Sequence, residues 1–169
     1  MADPDDLLVR PAREDDLQAA RELFEELDRY QHEWRVFDPR PTRAVEAEAR
    51  YRSGLASDAD ATFLVAERGG QVVGMAFARI DVLSSISDDR VAELSNVVVR
   101  RDERGRGIGR ALVAHVGRWA ASRGARRVAI KTYSENLEAL AFWERLGFQP
   151  RYVQMTALSG DLAAHSADP

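Results

Sequence analysis

The residues best suited to chemistry lie together in Val97-Val98-Val99-Arg100-Arg101-Asp102-Glu103-Arg104-Gly105-Arg106-Gly107-Ile108-Gly109-Arg110. A β-branched run feeds a turn rich in glycine and arginine, and the turn opens an amphipathic pattern. The first N–H groups of a helix lack internal partners, and the helix dipole adds partial positive charge at that end. Glycines let a bulky anion approach the backbone, and Arg104, Arg106 and Arg110 add full charges. This is the physical design of a pyrophosphate site. Two better-known phosphate loops do not fit. In G-x-G-x-x-G the third glycine would fall on Arg110 or Leu112, and G-x-x-x-x-G-K-[ST] is absent. The plainer alternative is a glycine-softened loop with solvated arginines. The strand before it and the helix after it favour the anion site.

Other chemistries find little support. The chain has no cysteine, which excludes thiol nucleophiles, disulfide frameworks and cysteine-based zinc sites. His32-Glu33-Trp34-Arg35 begins like a zinc helix, but Val36 stands where the second histidine belongs. G-x-S-x-G is also absent. His115 follows Leu112 by three residues and reads as a packing histidine at the edge of an apolar face. No metal site is expected.

These residues need a scaffold. Leu7 to Arg10 reads as a short strand. A helix follows, with Glu14, Asp15 and Asp16 in an acidic first turn and Leu17, Ala20, Phe24 and Leu27 on one face. Asp38-Pro39-Arg40-Pro41 punctuates a loop, and Thr42 opens a weakly apolar second helix to about Leu55. Thr62–Glu67 and Gln71–Asp81 read as strands joined at Gly69-Gly70, a pair that can take positive φ at both hairpin positions. Val91–Arg100 is a further strand. Ile108, Leu112, Val116 and Trp119 or Ala120 mark one helix face, stopped by Gly124. Arg127–Thr132 is a strand, Leu137–Leu146 a helix closed by Gly147, and Phe148–Leu158 has room for one or two final strands. The order predicts an α/β fold: a mixed sheet of six or seven strands, mostly antiparallel, flanked by about four helices.

Size and composition set the remaining bounds. The 169 residues suit a single domain over 7–158, with 1–6 and 159–169 as loosely ordered termini. At 45% hydrophobic, the chain can bury a core. The net charge of -4 argues against general nucleic-acid binding, which needs clustered positive charge. No run of about 20 apolar residues is present to span a membrane, and Met1–Asp6 is acidic and unlike a signal peptide. The lack of cysteine fits a cytoplasm. Almost every cation is arginine, and Lys131 is the only lysine.

Arg104-Gly105-Arg106-Gly107-Ile108-Gly109 resembles the R-x-x-G-x-G acyl-CoA signature of the GNAT superfamily of N-acetyltransferases. Ala92 to Val99 resembles that family's fourth strand at the right distance upstream. Asn136 to Phe148 resembles its late helix, which closes with a Leu-Gly-Phe step. The resemblance covers about Leu7 to Leu158.

The resemblance implies acetyl-CoA as co-substrate and an amine acceptor as partner. The fourth strand would splay from the fifth at a bulge, leaving a gap for the pantetheine arm. Val97 and Val99 would bond that arm through their backbone, and an N–H near Val98 would polarise the thioester carbonyl. Arg104, Gly105, Arg106, Gly107, Ile108, Gly109 and Arg110 would take the pyrophosphate. Asn136 would either touch the pantetheine or simply start the late helix. Glu93 is the candidate base, working through water. An amine of reference pKa about 10.4 is almost wholly charged at neutral pH and must lose a proton before attacking a thioester. The alternative is a strand carboxylate paired with a cation. At the position where the family commonly has a tyrosine to protonate the thiolate, this chain has Trp143. Indole is no practical proton donor, so water, the ammonium intermediate, or a displaced Tyr133 or Tyr152 would serve, with Trp143 packing beside the cofactor. The competing function is a non-catalytic acyl-CoA-binding or sensing domain. Tyr30, His32, Glu33, Trp34, Arg35, Phe37 and Asp38 are candidates for the acceptor cleft. A homodimer is expected by analogy.

Overall fold

A computed structural model describes residues 7–31, 59–82 and 90–165. The expected second helix and every acceptor-cleft candidate except Tyr30 lie outside the described residues.

Five strands form one sheet in chain order: β1 (Leu7–Pro11), β2 (Ala61–Arg68), β3 (Gln71–Val82), β4 (Arg90–Val99) and β5 (Arg127–Ile130). The first three pairings are antiparallel and β4–β5 is parallel. The mixed, mostly antiparallel sheet was expected. The β2–β3 hairpin turns at Gly69 and Gly70, with φ of 55° and 78°. Both angles lie in the region glycine reaches without strain.

The sheet is two-sided. Along β2, Phe63 and Val65 face α1 (Leu17–Tyr30), where they pack with Ala20, Leu23, Met75, Phe77 and Val98. Leu64 and Ala66 point the other way, against α2 (Ile108–Ser122), and meet Ile108, Leu112 and Val116. A helix on each face explains why the middle strands read as nearly unbroken apolar runs.

Two helix ends are set by the same motif. After α2, the Gly124 N–H donates to Ala121 O and the Ala125 N–H to Ala120 O, both at 3.0 Å. After α3 (Leu137–Arg145), Gly147 donates to Glu144 O at 2.9 Å and Phe148 to Trp143 O at 3.1 Å. Each glycine has positive φ, and each motif closes on an apolar pair, Ala120 with Ala125 and Trp143 with Phe148. The Leu-Gly-Phe step is thus a Schellman stop.

Three expectations need correction. The described residues contain five strands, not six or seven, because Phe148–Leu158 forms none. Pro150 removes a ladder donor near its start, and Tyr152, Val153, Met155 and Leu158 are exposed. Ser159–His165, expected to be loose, is a short helix, α4. The acidic run Glu14–Asp16 is a 3-10 turn ahead of α1, and Asp16 is buried there. Arg10 grips its carboxylate with bonds of 2.6 and 2.9 Å, and the Arg13 N–H donates to it at 2.7 Å.

Candidate active site at the β4–β5 fork

The fork is a consequence of unequal strand lengths. β5 pairs with β4 only from Val91–Arg127 to Leu94–Ile130, while β4 continues to Val99. Beyond Leu94 the β5-facing edge of β4 therefore has no strand partner among the described residues. On its other edge, Phe77 pairs with Ser95 and Met75 with Val98, so Ala76 stands opposite both Asn96 and Val97. This is a β-bulge, with Asn96 at φ 51°. Asparagine is among the few non-glycine residues that tolerate that region. The extra residue reverses the alternation: Val98 joins the α1 face, and Val97 and Val99 join the α2 face.

The Arg100 N–H donates to Val73 O at 2.9 Å. Alternation then turns the Val99 amide and carbonyl toward the fork. There the carbonyl accepts Arg104 Nε at 3.0 Å. Arg104 also bonds Glu26 at 3.1 Å and lies 5.1 Å over the Tyr30 ring. The Tyr30 hydroxyl in turn donates to Glu138 at 2.8 Å. A chain of side chains thus runs from the tip of β4, past the end of α1, to the first turn of α3.

The glycine turn adopts the shape an anion site needs. Gly105 and Gly107 have φ of 77° and 81°, and a Cβ added to either would meet nothing within 4 Å. Gly107 is the N-cap of α2, and no side chain caps that end. The leading N–H groups of Ile108, Gly109 and Arg110 are therefore left for a ligand. Gly109 has a different role: a Cβ there would sit 3.1 Å from Phe142 Cζ, so glycine lets α2 start against α3. Gly74 on β3 is equally constrained, with Val98 O at 3.1 Å and Ile108 Cγ2 at 3.3 Å from an added Cβ. Ile108 itself is buried.

The three arginines of the turn are not equivalent. Arg104 is turned inward, as described. Arg106 is exposed and only loosely paired with Glu103, at 3.8 Å. Arg110 is exposed and has no ion pair among the described residues. Glu103 is held by Arg68 at 3.0 Å, which anchors the turn to the end of β2.

Across the fork, Asn136 is 4% exposed. Its Oδ1 accepts the Ala139 N–H at 3.0 Å as the cap of α3. Its buried amide NH2 has no protein partner among the described residues, and a buried donor left unmade is costly. Capping and ligand contact are thus compatible roles. Trp143 makes edge contacts with Phe142 and Phe148, ring centroids 4.8 and 5.2 Å apart. It packs against the α2-side core. Tyr133 is half-buried beside the fork, and Tyr152 is exposed.

Glu93 pairs in register with Ala129 and lies on the α1 face of β4. Its carboxylate is 3.0 Å from Lys131 Nζ. In composition Lys131 stands out only as the sole lysine; its pairing with Glu93 is a feature of the fold. Neither segment signals it alone: the parallel register sets Ala129 opposite Glu93, and alternation carried one residue past β5 puts Lys131 on the same face as Ala129. The resemblance implied a bulge in β4 but not its place at Asn96; the close approach at Gly74 and the Tyr30–Glu138 bond have no counterpart in the sequence reading.

Residues 14–148 match the family model described as Acetyltransferase (GNAT) family. An N-acetyltransferase of Methanocaldococcus jannaschii, itself uncharacterised, is 32% identical over 145 residues, or 86% of this chain and 62% of that protein. A mycothiol acetyltransferase of Cellulomonas flavigena is 34% identical over 65% of this chain and 33% of its own length. The chain thus spans under two thirds of either relative. A solved aminoglycoside N-acetyltransferase in complex with CoA has the same fold, with a TM-score of 0.74 at 22% identity, covering 91% of this chain and 95% of that one. With four fifths of its length matched to the model, including the fork and the glycine turn, the chain belongs to the GNAT acetyltransferase family.

Proposed function

We propose that this chain transfers the acetyl group of acetyl-CoA directly to a primary amine of a small molecule or peptide. The observation that carries the proposal is the uncapped N-terminus of α2 opening beside the β4–β5 fork. The N–H groups of Ile108, Gly109 and Arg110, with the outward Arg106 and Arg110, take the diphosphate. The pantetheine lies in the fork, where the Val97 and Val99 backbone and the Asn136 amide meet it; Val98, expected near the thioester, turns its carbonyl instead toward Gly74 of β3. Gly105 and Gly107 supply the backbone shape, and Arg104 holds the turn in place. Trp143 packs the far wall.

The chemistry follows from the groups at hand. The acceptor amine loses a proton to Glu93, through water. Its nitrogen bonds the thioester carbon, and the C–S bond breaks as the carbonyl re-forms. The CoA thiolate leaves and takes its proton from water or from the ammonium intermediate, since Trp143 cannot give one. Transfer is direct because the chain has no cysteine to carry an acyl group. The names of the relatives, an aminoglycoside and a mycothiol acetyltransferase among them, support an amine acceptor. The exposed Tyr152, Val153, Met155 and Leu158 support a homodimer closing over that segment.

Thiol release from acetyl-CoA across a panel of small amines and peptides tests the activity. Acceptor-dependent release is expected. Tight acetyl-CoA binding with no release on any amine would favour a sensing domain instead.

A further inference from the structure

We propose that Lys131 is an internal acetyl acceptor, so that the protein acetylates itself at its only lysine. The proposal rests on the acetyl-CoA reading above.

Lys131 immediately follows Ile130, the last residue of β5 paired to β4. It therefore stands where the fork opens, one step beyond the Leu94–Ile130 pair and level with Ser95. Its side chain is on the α1 face, with Nζ 3.0 Å from the Glu93 carboxylate. Val97 lies two residues further along β4, about 7 Å at strand rise. The flexible four-carbon lysine stem can cover that distance. The side chain is 80% exposed, so it can swing from Glu93 toward the fork. One group thus combines an amine, an adjacent base and proximity to the proposed thioester. No other lysine in the chain can compete for the acetyl group.

The step balances without a further reagent. Glu93 takes a proton from the Lys131 ammonium, and the neutral Nζ attacks the thioester carbon of acetyl-CoA. The N–C bond forms and the C–S bond breaks. The CoA thiolate departs and is protonated from the intermediate or from water. The product amide carries no charge, so the Glu93–Lys131 ion pair is lost and the carboxylate is released to external amines. Self-acetylation would therefore switch Glu93 from an internal to an external partner.

The test is mass spectrometry of the purified chain incubated with acetyl-CoA, with peptide mapping, beside calorimetry of acetyl-CoA on the same sample. The expected result is one added acetyl group on the peptide containing Lys131. Its rate should be independent of protein concentration, lost in Lys131→Arg, and at least ten-fold slower in Glu93→Gln near neutral pH. Acetyl-CoA binding with Lys131 unmodified would overturn this inference and leave the function standing. So would equal labelling in the folded, urea-unfolded and Glu93→Gln proteins, which marks plain chemical acetylation. Absence of acetyl-CoA binding would overturn both.

Discussion

Arg104 Nε donates to the Val99 carbonyl at 3.0 Å, tying the glycine turn to the tip of β4. With Glu26 and Tyr30 also engaged, this arginine is a strut, while Arg106 and Arg110 remain the outward charges. Arg104→Ala should therefore lower the melting temperature as well as acetyl-CoA affinity. Arg110→Ala should lower affinity alone, by about ten-fold for a lost charge-assisted bond. Thermal melts beside binding titrations separate the two.

Glu93→Gln should lower the rate of acetyl transfer to an external amine by roughly a hundred-fold near neutral pH, within the range of general-base effects. The deficit should shrink at alkaline pH, where the amine deprotonates unaided. A pH–rate profile parallel to that of the wild type would remove Glu93 from the mechanism.

Gly107 has φ of 81° with open space around it, so Gly107→Ala carries only the backbone cost, about 1 kcal/mol. Gly109→Ala pushes a Cβ to within 3.1 Å of Phe142 and must displace α3 or the start of α2. Urea unfolding should show a modest loss for the first. Acetyl-CoA affinity should fall further for the second.

Acid should destabilise the protein through two groups. The Arg10 guanidinium, bonded to Asp16 at 2.6 and 2.9 Å, holds the Asp16 carboxyl below its usual range. Burial, aided by Arg118, pushes His115 down. Both bind protons less readily folded than unfolded, so stability falls as pH falls. The His115 penalty begins below its unfolded value of about 6.5. The Asp16 contribution is complete above about 3.9 and disappears as pH drops through the lower folded value. Asp16→Ala should cost roughly 3 kcal/mol near neutral pH, since it leaves Arg10 with less of its partner set. Denaturant midpoints measured from neutral to acid pH check both the size and the slope.

The legible parts of the molecule were those written locally. The β-branched runs, the Gly69-Gly70 hairpin and the glycine stops at Gly124 and Gly147 depend on neighbours within a few residues. The glycine turn before Ile108 was legible for the same reason. What was not legible depends on register between distant segments. Glu93 meets Lys131 only because β5 is parallel to β4 at one offset. Tyr30 meets Glu138 only because α1 ends above the fork. In the sequence Asp16 reads as a charge serving a helix dipole; its grip by Arg10 depends on how the 3-10 turn folds back beside β1. Phe148–Leu158 has the apolar content of a strand but forms none, since apolar content alone does not make a ladder.

The central claim is that the start of α2, with Arg106 and Arg110, cradles the diphosphate of acetyl-CoA. Titration calorimetry on the wild type and on the Arg106→Glu/Arg110→Glu double variant, at low and high salt, measures this directly. The wild type should show a heat of association that weakens with salt, and the double variant should lose about a hundred-fold in affinity. Equal affinity in the two proteins, or no association with the wild type, would contradict the cradle.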